Sequence, residues 1–463
     1  YRETRIQHWD TIANQKDLLL SKGKYYHERL SEIYRFIIPQ GCRVIEFGCG
    51  FGDLLASLNP SYGVGVDFSG EMIGRAKQMY PDIRFVECDI HDLGNIKETF
   101  DFVILSDVVN DLWDVQTVFD EIKSISNSKT RIIINSYSRV WELPLKIAQR
   151  LGYATKVLPQ NWLTVEDLTS LLNLADFEVI RHWPEILLPL KAPVLSKLCN
   201  RFLAKLWPFR YFALSNFIIA RPRPPKSDAE AKPRVSVIIP ARNEEGHISE
   251  ILKRVPEMGE STELIFVEGN STDNTYAVIE QAIAESSNRK CKLFKQKGVG
   301  KGDAVRLGFA NAEGGILMIL DADLTVPPED LPRFYEALVS GKGEFINGVR
   351  LVYPMEKQAM RFLNFLGNKF FSLVFSWLLG QPIKDTLCGT KVLWKDDYDM
   401  IANNRSYFGD FDPFGDFDLI FGSAKLNFKI IDLPIRYKER KYGTTNISRW
   451  LSLIHISEPT RPY

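Results

Sequence analysis

The chain has 463 residues, with 58 Lys plus Arg against 58 Asp plus Glu and a formal net charge of zero, which excludes nucleic-acid binding driven by bulk positive charge. At 45% hydrophobic and 25% charged residues it is neither disordered nor fibrous, and its length suits two or three domains with full cores. Its six cysteines are scattered, with no CxxC pair and no His-Cys cluster at metal spacing, so no disulfide framework or zinc site is expected and a reducing, cytoplasmic setting fits.

In chain order, apolar runs at 43–47, 63–67, 85–86, 100–105 and 131–135 alternate with helix-like segments. The stretch 183–210, rich in Leu, Pro and Trp with Lys and Arg interleaved, reads as core packing, with a substrate lid or a membrane-facing surface as the alternatives. Residues 221–234 hold four prolines and many charges but no large apolar side chain, the composition of a solvated linker. Beyond it, runs at 235–239, 263–267, 292–295 and 315–320 again alternate with helices. Such alternation predicts an α/β chain with two parallel sheets, whose ligands bind at the carboxyl ends of the strands. No signal peptide opens the chain and no run of 18 apolar residues occurs, so membrane contact is expected to be peripheral, on the cytoplasmic face. Residues 451–463 read differently from what precedes them, like a translated sequencing adapter. They are set aside as a non-native tail; the first residue, Tyr1 rather than Met, suggests a trimmed start.

After the first strand, Glu46 leads into Gly48, Gly50 and Gly52 at alternate positions, where the missing Cβ lets backbone approach a ligand. Asp67 ends the second strand, placed to hold ribose hydroxyls, and Asp89 follows the third. Over residues 1–220 this pattern resembles the class I S-adenosylmethionine-dependent methyltransferases, with a Rossmann-like fold. The GxGxG spacing favours that family over dinucleotide folds, which usually show GxGxxG. The resemblance implies that the glycine loop lies against the methionine part of the cofactor, that Asp67 takes the ribose and that Asp89 takes the adenine. No Asn-Pro-Pro-Tyr signature follows strand four. His91, Asp107, Asn110 and Asp111 stand as candidate proton acceptors near the transferred methyl, or as solvated loop residues.

In the second half, Pro240, Glu244, Glu268 and Ser271 fall at strand ends, where a base and ribose could be gripped. Asp321 and Asp323 follow a fully apolar strand. In extended chain, residues two apart face one side, so the pair can address one Mg²⁺ or Mn²⁺ that neutralises a diphosphate. Together with Lys301 in a Gly-rich turn, these motifs over 235–450 resemble family 2 glycosyltransferases of the GT-A fold, nearest the dolichyl- or polyprenyl-phosphate mannosyltransferase branch. Two departures stand out: Glu268-Gly269-Asn270 replaces the family's usual Asp-Asp-Gly, and Lys391 stands where an arginine is common.

The resemblance implies an inverting, metal-assisted transfer from a UDP- or GDP-sugar, and Asp418, with Asp416 next in line, as general base. Capping of a helix N-terminus on a solvent loop is the other reading of those acids. Arg350 and Arg361 stand where the family contacts a lipid phosphate, with surface salt bridging as the alternative. Between 361 and 380, Arg361, Asn364, Asn368, Ser372 and Ser376 form a polar stripe on an otherwise Phe- and Leu-rich helix, placed in the core or, as its aromatics favour, in the membrane interface. The whole chain reads as a bifunctional enzyme for a cell-envelope glycan, with polyprenyl phosphate or a surface glycan as acceptor. The alternative is a glycosyltransferase acting on a sugar hydroxyl, with a non-catalytic N-terminal docking domain.

Overall fold

Strands covered by helices on both faces read as continuous apolar runs, and the two sets of such runs build two separate sheets. The computed structural model describes residues 2–14, 23–94, 96–224, 232–286, 288–350, 352, 362–404 and 415–438. The chain divides into Tyr1–Pro224 and Pro225–Tyr463.

The first unit carries a seven-stranded sheet in the order β3-β2-β1-β4-β5-β7-β6. Its strands are β1 Arg43–Phe47, β2 Tyr62–Asp67, β3 Arg84–Glu87, β4 Phe102–Ser106, β5 Arg131–Tyr137, β6 Phe177–Glu185 and β7 Ser215–Pro222. Alternate residues serve opposite faces: Val103, Leu105, Ile132 and Ile134 join one apolar cluster, while Phe102, Ile104 and Ile133 join the other. The side-chain period of two in a strand requires this.

The second unit repeats the plan with β8 Val235–Ala241, β9 Thr262–Glu268, β10 Lys290–Lys295, β11 Ile316–Ile319, β12 Phe345–Val349, β13 Lys391–Trp394 and β14 Ile430–Pro434, ordered β10-β9-β8-β11-β13-β12-β14. In it Val237, Ile239 and Met318 face one cluster, and Ile238, Leu317 and Ile319 the other.

The α/β class stands, but neither sheet is wholly parallel. Strand β7 runs antiparallel to both β5 and β6, and β13 antiparallel to both β11 and β12. Each antiparallel strand is inserted one place in from its neighbours, β7 between β5 and β6 and β13 between β11 and β12, after a connection that carries a helix. The linker also begins later than expected. Strand β7 extends through Pro222, and Arg221, taken as solvated, is fully buried with its guanidinium on Glu178 at 2.6 Å.

Phe217 closes the core beneath β7, stacked on Trp183 with ring centroids 5.4 Å apart and tilted against Tyr34 at 5.6 Å. Phe217→Ala is expected to destabilise the first unit by about 3–5 kcal/mol, read as a lower denaturant midpoint with an unchanged slope.

Candidate functional sites

In the first unit the loop after β1 is held open by backbone geometry. Gly48, Gly50 and Gly52 have φ of 68°, 52° and 79°, where a side chain is strained. A Cβ on Gly48 would lie 2.7 Å from Val108, so this glycine lets the loop close against β4. Around Gly50 nothing stands within 4 Å of a Cβ, so its surface faces open space. Glu46 is buried beneath the loop, where its carboxylate accepts from Leu55 N at 3.1 Å. Burial holds its pKa well above the ordinary value. It therefore shapes the turn from below.

Asp67 accepts from Gly50 N and Ser69 N, each at 2.9 Å, which ties the glycine loop to the end of β2. Asp89 accepts from the His91 backbone N and Nδ1 at 3.0 and 2.7 Å and pairs with Arg2 at 3.1 Å. Although burial works against its charge, the His91 hydrogen bonds hold its pKa below the usual carboxylate range. Asp89, Phe68, Glu87 and Cys88, with Arg2 and Asp10 from the N-terminal helix Arg2–Ala13, line a cavity of about 280 Å³. That helix was not foreseen as part of the site. It is fastened by Arg5 and Trp9 on Asp111 and by Ser69 Oγ donating to Asp10 at 2.5 Å. Asp111 is thereby occupied, and Asn110 is spent on the backbone of Asn161 and Tyr137. His91, bound to Asp89, also stacks on Trp113 at 4.8 Å.

Among the four acceptor candidates, Asp107 has the most unusual setting. It follows β4 with φ of 57°, a rare conformation for a non-glycine residue that gathers at working sites. Tyr26 Oη donates to it at 2.9 Å and Asn135 Nδ2 at 2.6 Å. Burial pushes its pKa up to about 7, against the opposing pull of Tyr26, Tyr137 and Asn135. A neutral carboxyl and a carboxylate are then both accessible near neutral pH. Tyr26 and Tyr137 carried no sequence signal, because they come from distant segments.

In the second unit Pro240 is the penultimate residue of β8 and Glu268 ends β9. Glu268 accepts from Ser271 N, while Ser271 Oγ accepts from Asn243 N at 3.0 Å. Glu244 is buried and pairs with His247 Nδ1 at 3.0 Å, so its carboxylate braces the loop from within.

Asp321 and Asp323 differ in setting from the extended pair expected. Strand β11 ends at Ile319, and the two acids occupy a turn, which Leu324 closes with φ of 54°. Their spacing therefore follows the turn and not a strand pleat. Asp323 accepts from Thr325 N at 3.1 Å and Thr325 Oγ1 at 2.7 Å. Asp321 pairs with Lys301 Nζ at 2.6 Å, and a Cβ on Gly389 would strike both members of this pair.

Asp416 and Asp418 open the helix Asp416–Lys425, and both are buried, not loop acids in solvent. The glycine before them, Gly415 at φ 71°, packs on Gly302 at 2.8 Å from its Cβ position. This contact brings two helix N-termini together, that of Lys301–Ala310 and that of Asp416–Lys425. Asp416 pairs with Lys391 Nζ at 3.1 Å, the lysine side chain being 0% exposed. Asp418 stands 3.9 Å from Arg306. Burial alone would weaken the Lys301 charge, but Asp321 and Asp416 together hold its pKa above the ordinary lysine value. Lysine and aspartate thus alternate through the site, from Lys391 to Asp416 to Lys301 to Asp321.

Arg350 is not open to an anion in the way expected. Its Nε and Nη2 grip Asp385 at 2.7 and 2.8 Å, and Asp385 is fully buried. Despite burial, the Arg350 guanidinium holds that carboxyl at a pKa of about 2. Arg361 and the side chain of Asn364 lie outside the described residues. The rest of the polar stripe turns inward from the helix Phe362–Leu379. Asn368 donates to Asp385 at 2.8 Å, Ser372 to Lys384 O at 2.7 Å, and Ser376 to Ile383 O at 3.1 Å. Its apolar residues face out instead, with Leu373 73% and Phe370 61% exposed.

Among the described residues no group of three or more His, Cys, Asp or Glu is placed to hold a metal. Asp321 and Asp323 nonetheless suit Mg²⁺ or Mn²⁺, because such ions often take one or two carboxylates and complete their shell with substrate phosphates and water. No helix among the described residues is long and apolar enough to cross a membrane.

Comparison with known proteins agrees with this division. Residues 38–176 match the family description "Methyltransferase domain" and residues 236–397 match "Glycosyl transferase family 2". The undecaprenyl-phosphate 4-deoxy-4-formamido-L-arabinose transferase of Proteus mirabilis is 33% identical over 229 residues, covering 48% of this chain and 65% of that protein. The Edwardsiella ictaluri protein of the same name is 34% identical over 119 residues, 25% of this chain and 37% of that one. The chain thus spans between about a third and two thirds of the length of these curated relatives. Among solved structures, an S-adenosylmethionine-dependent methyltransferase from Thermotoga maritima aligns with 14% identity and a TM-score of 0.37, over 47% of this chain and 99% of that one. Glucosyl-3-phosphoglycerate synthase from Mycobacterium tuberculosis, solved with Mn²⁺ and UDP, aligns with 17% identity and a TM-score of 0.36, over 47% and 74%. The chain thus carries a region that matches the methyltransferase-domain model, followed by a region that matches the family 2 glycosyltransferase model.

Proposed function

We propose that the chain is a bifunctional enzyme: an S-adenosylmethionine-dependent methyltransferase, and a metal-dependent inverting glycosyltransferase that moves a sugar from a nucleotide-sugar to polyprenyl phosphate at the cytoplasmic face of a membrane. The observation that carries the glycosyl reading is the convergence of Asp321, Lys301 and Asp416 where two helix N-termini meet. Cationic and N-terminal charge there suits a diphosphate, and the carboxylates suit its metal. Pro240, Glu244, Glu268 and Ser271 border the nucleoside side of that site, with Glu244 and Glu268 acting partly through the loops they brace. Asp321 and Asp323 would hold the metal, which would supply charge stabilisation to the departing diphosphate. Lys391 holds Asp416 in place.

The acceptor decides whether a base is needed. A sugar hydroxyl must lose a proton, whereas a phosphate monoester with a second pKa near 6 is already largely anionic at pH 7. Asp418 is the base candidate for a hydroxyl acceptor. The outward apolar face of the helix Phe362–Leu379 favours the lipid, because exposed Phe370, Leu373 and Trp377 gain by leaving water beside a polyprenyl chain. The relatives' names, which specify undecaprenyl phosphate, point the same way. A surface-glycan acceptor is the second reading, favoured only by the burial of Asp418 at the site.

In the first unit, Asp67 and Asp89 would hold the ribose and adenine of S-adenosylmethionine, whose sulfonium supplies an electrophilic methyl group. Gly48 and Gly52 set the loop, Gly50 borders the ligand space and Glu46 supports the turn. Asp107, next to the Val108 that Gly48 packs against, is the proton acceptor or sulfonium partner.

Nucleotide release should be followed with UDP- and GDP-sugars and Mg²⁺ or Mn²⁺, adding polyprenyl phosphate in one arm and glycan hydroxyl acceptors in the other. Polyprenyl phosphate is expected to stimulate release, Asp323→Ala to abolish it, and Asp418→Asn to leave most of it; stimulation by hydroxyl acceptors alone would replace the lipid reading.

Arg350→Ala leaves Asp385 buried without its partner, and a loss of about 3–5 kcal/mol in stability is expected. An arginine serving only the acceptor would leave the denaturation midpoint unmoved.

The raised pKa of Asp107 gives a charge test. Below its pKa of about 7 the carboxyl is neutral, and above it the group is anionic and attracts a sulfonium but not a thioether. Calorimetry should therefore show the preference for S-adenosylmethionine over S-adenosylhomocysteine growing as pH rises through 7, and Asp107→Asn should flatten it.

A further inference from the structure

In a water-soluble helix, apolar residues face the core and polar ones face solvent. The helix Pro193–Arg201 of the first unit reverses this. Its polar Ser196 and Asn200 are buried. Ser196 Oγ accepts from Ala192 N at 2.8 Å, and Asn200 binds Leu188 N and O at 2.8 and 2.9 Å and Tyr25 Oη at 3.1 Å. Val194, on the outer side, is 81% exposed, with Leu195, Leu198 and Phe202 also in solvent. The turns that follow, Leu203–Lys205 and Phe209–Phe212, continue the face with Trp207, which is 76% exposed, and Tyr211.

The face does not stop there. Trp141 Nε1 donates to Phe212 O at 2.8 Å, which places the helix Glu142–Arg150 alongside. That helix has no buried residue, and Leu143, Ile147 and Leu151, four apart, are all exposed. More than half of the exposed large apolar side chains among the described residues fall in 140–153 and 190–212. Soluble monomers rarely leave so contiguous an apolar surface without an occupant.

Charge identifies the occupant. Between residues 186 and 227 the sequence holds no Asp or Glu, but Lys191, Lys197, Arg201, Lys205 and Arg210 are interleaved with the apolar residues. Arg201 lies 6.0 Å from the Phe202 ring centroid and Arg210 5.9 Å from that of Tyr211. In an otherwise neutral protein, cations at the rim of an aromatic and leucine-rich surface match a negatively charged lipid headgroup layer over hydrocarbon. The adjoining helix adds one acid, Glu142, which is paired with Lys146 at 2.8 Å, so the charge along 186–212 stays positive, as an anionic lipid layer requires.

We infer that the methyltransferase unit docks through this face onto the surface of an anionic bilayer, with Trp207, Tyr211 and Leu198 entering the headgroup boundary and Lys197, Arg201 and Arg210 meeting lipid phosphates. The inference does not depend on the acceptor of the glycosyl transfer. Its source is the first unit, whereas the outward face of Phe362–Leu379 belongs to the second.

The test is flotation of the full chain with vesicles of phosphatidylcholine alone and with vesicles containing about a third phosphatidylglycerol. Selective flotation with the anionic vesicles, weakened by salt, is expected. Each cation near such a surface is worth about fivefold in partitioning, so Lys197→Glu combined with Arg201→Glu should lower binding at least tenfold. Trp207→Ala with Tyr211→Ala should also weaken it, and both pairs should keep the wild-type circular-dichroism melt because the side chains are exposed. Leu373→Glu, in the second unit, should leave the preference for anionic lipid intact. Absence of flotation, equal flotation on neutral vesicles, or unchanged binding of both paired variants would overturn the inference. So would a lipid-free dimer that Trp207→Ala dissociates in the absence of any vesicle binding, since that would make the face a protein interface.

Discussion

When a central parallel strand has its sequence neighbours on both sides, the crossovers leave on opposite faces and a crevice opens at its carboxyl end. In this chain that constraint operates twice. Strand β1 lies between β2 and β4, and β8 lies between β9 and β11. Several charged groups of the two sites lie at strand ends around these two strands: Asp67 and Glu268 end β2 and β9, and Asp89, Asp107 and Asp321 follow β3, β4 and β11. The apolar interiors of the strands fix their depth, and the first residue free of that burial requirement is the one that can carry charge.

Those charges are then held by second partners that come from elsewhere in the chain. Asp107 depends on Tyr26 and Asn135, Asp111 on Arg5 and Trp9, and Asp416 on Lys391. A buried acid without such partners would be driven neutral or would unfold its surroundings. The partners are therefore a condition of the sites, and they make helix Arg2–Ala13 part of the first one.

The strand-end acids and glycines were legible in the sequence because an apolar run, a turn and a charged residue are contiguous. The nine apolar runs read from the sequence correspond to β1–β5 and β8–β11; the antiparallel β7 and β13 escaped that reading, since direction is set by the connection and not by the strand. Contacts between distant segments escaped as well. Tyr26 with Asp107, or Gly415 with Gly302, have no local signature. Amphipathic pattern showed a polar stripe on Phe362–Leu379 but not its sense. Asn368 and Ser372 turned out to face inward because the loop 381–390 offers backbone groups and Asp385 that need partners. For the same reason the stretch 183–210, read as core, is divided: Trp183 and Ile186 pack into the core, whereas from Leu190 onward Ser196 and Asn200 satisfy buried backbone, which turns Val194 and Leu198 outward.

Charges of opposite sign sit side by side in the second site. Lys301 and Asp321 pair at 2.6 Å, whereas Asp323 accepts from the neutral groups of Thr325. A nucleoside diphosphate bound together with its metal supplies both signs at once: the phosphates draw on Lys301 while the cation draws on Asp321. Both side chains are partly exposed, Lys301 at 24% and Asp321 at 28%, so solvent screens part of their attraction. Under the proposed reading Lys301 would meet the diphosphate and Asp321 its metal, while Asp416, held by Lys391 at 3.1 Å, would remain a second negative charge acting on Lys301.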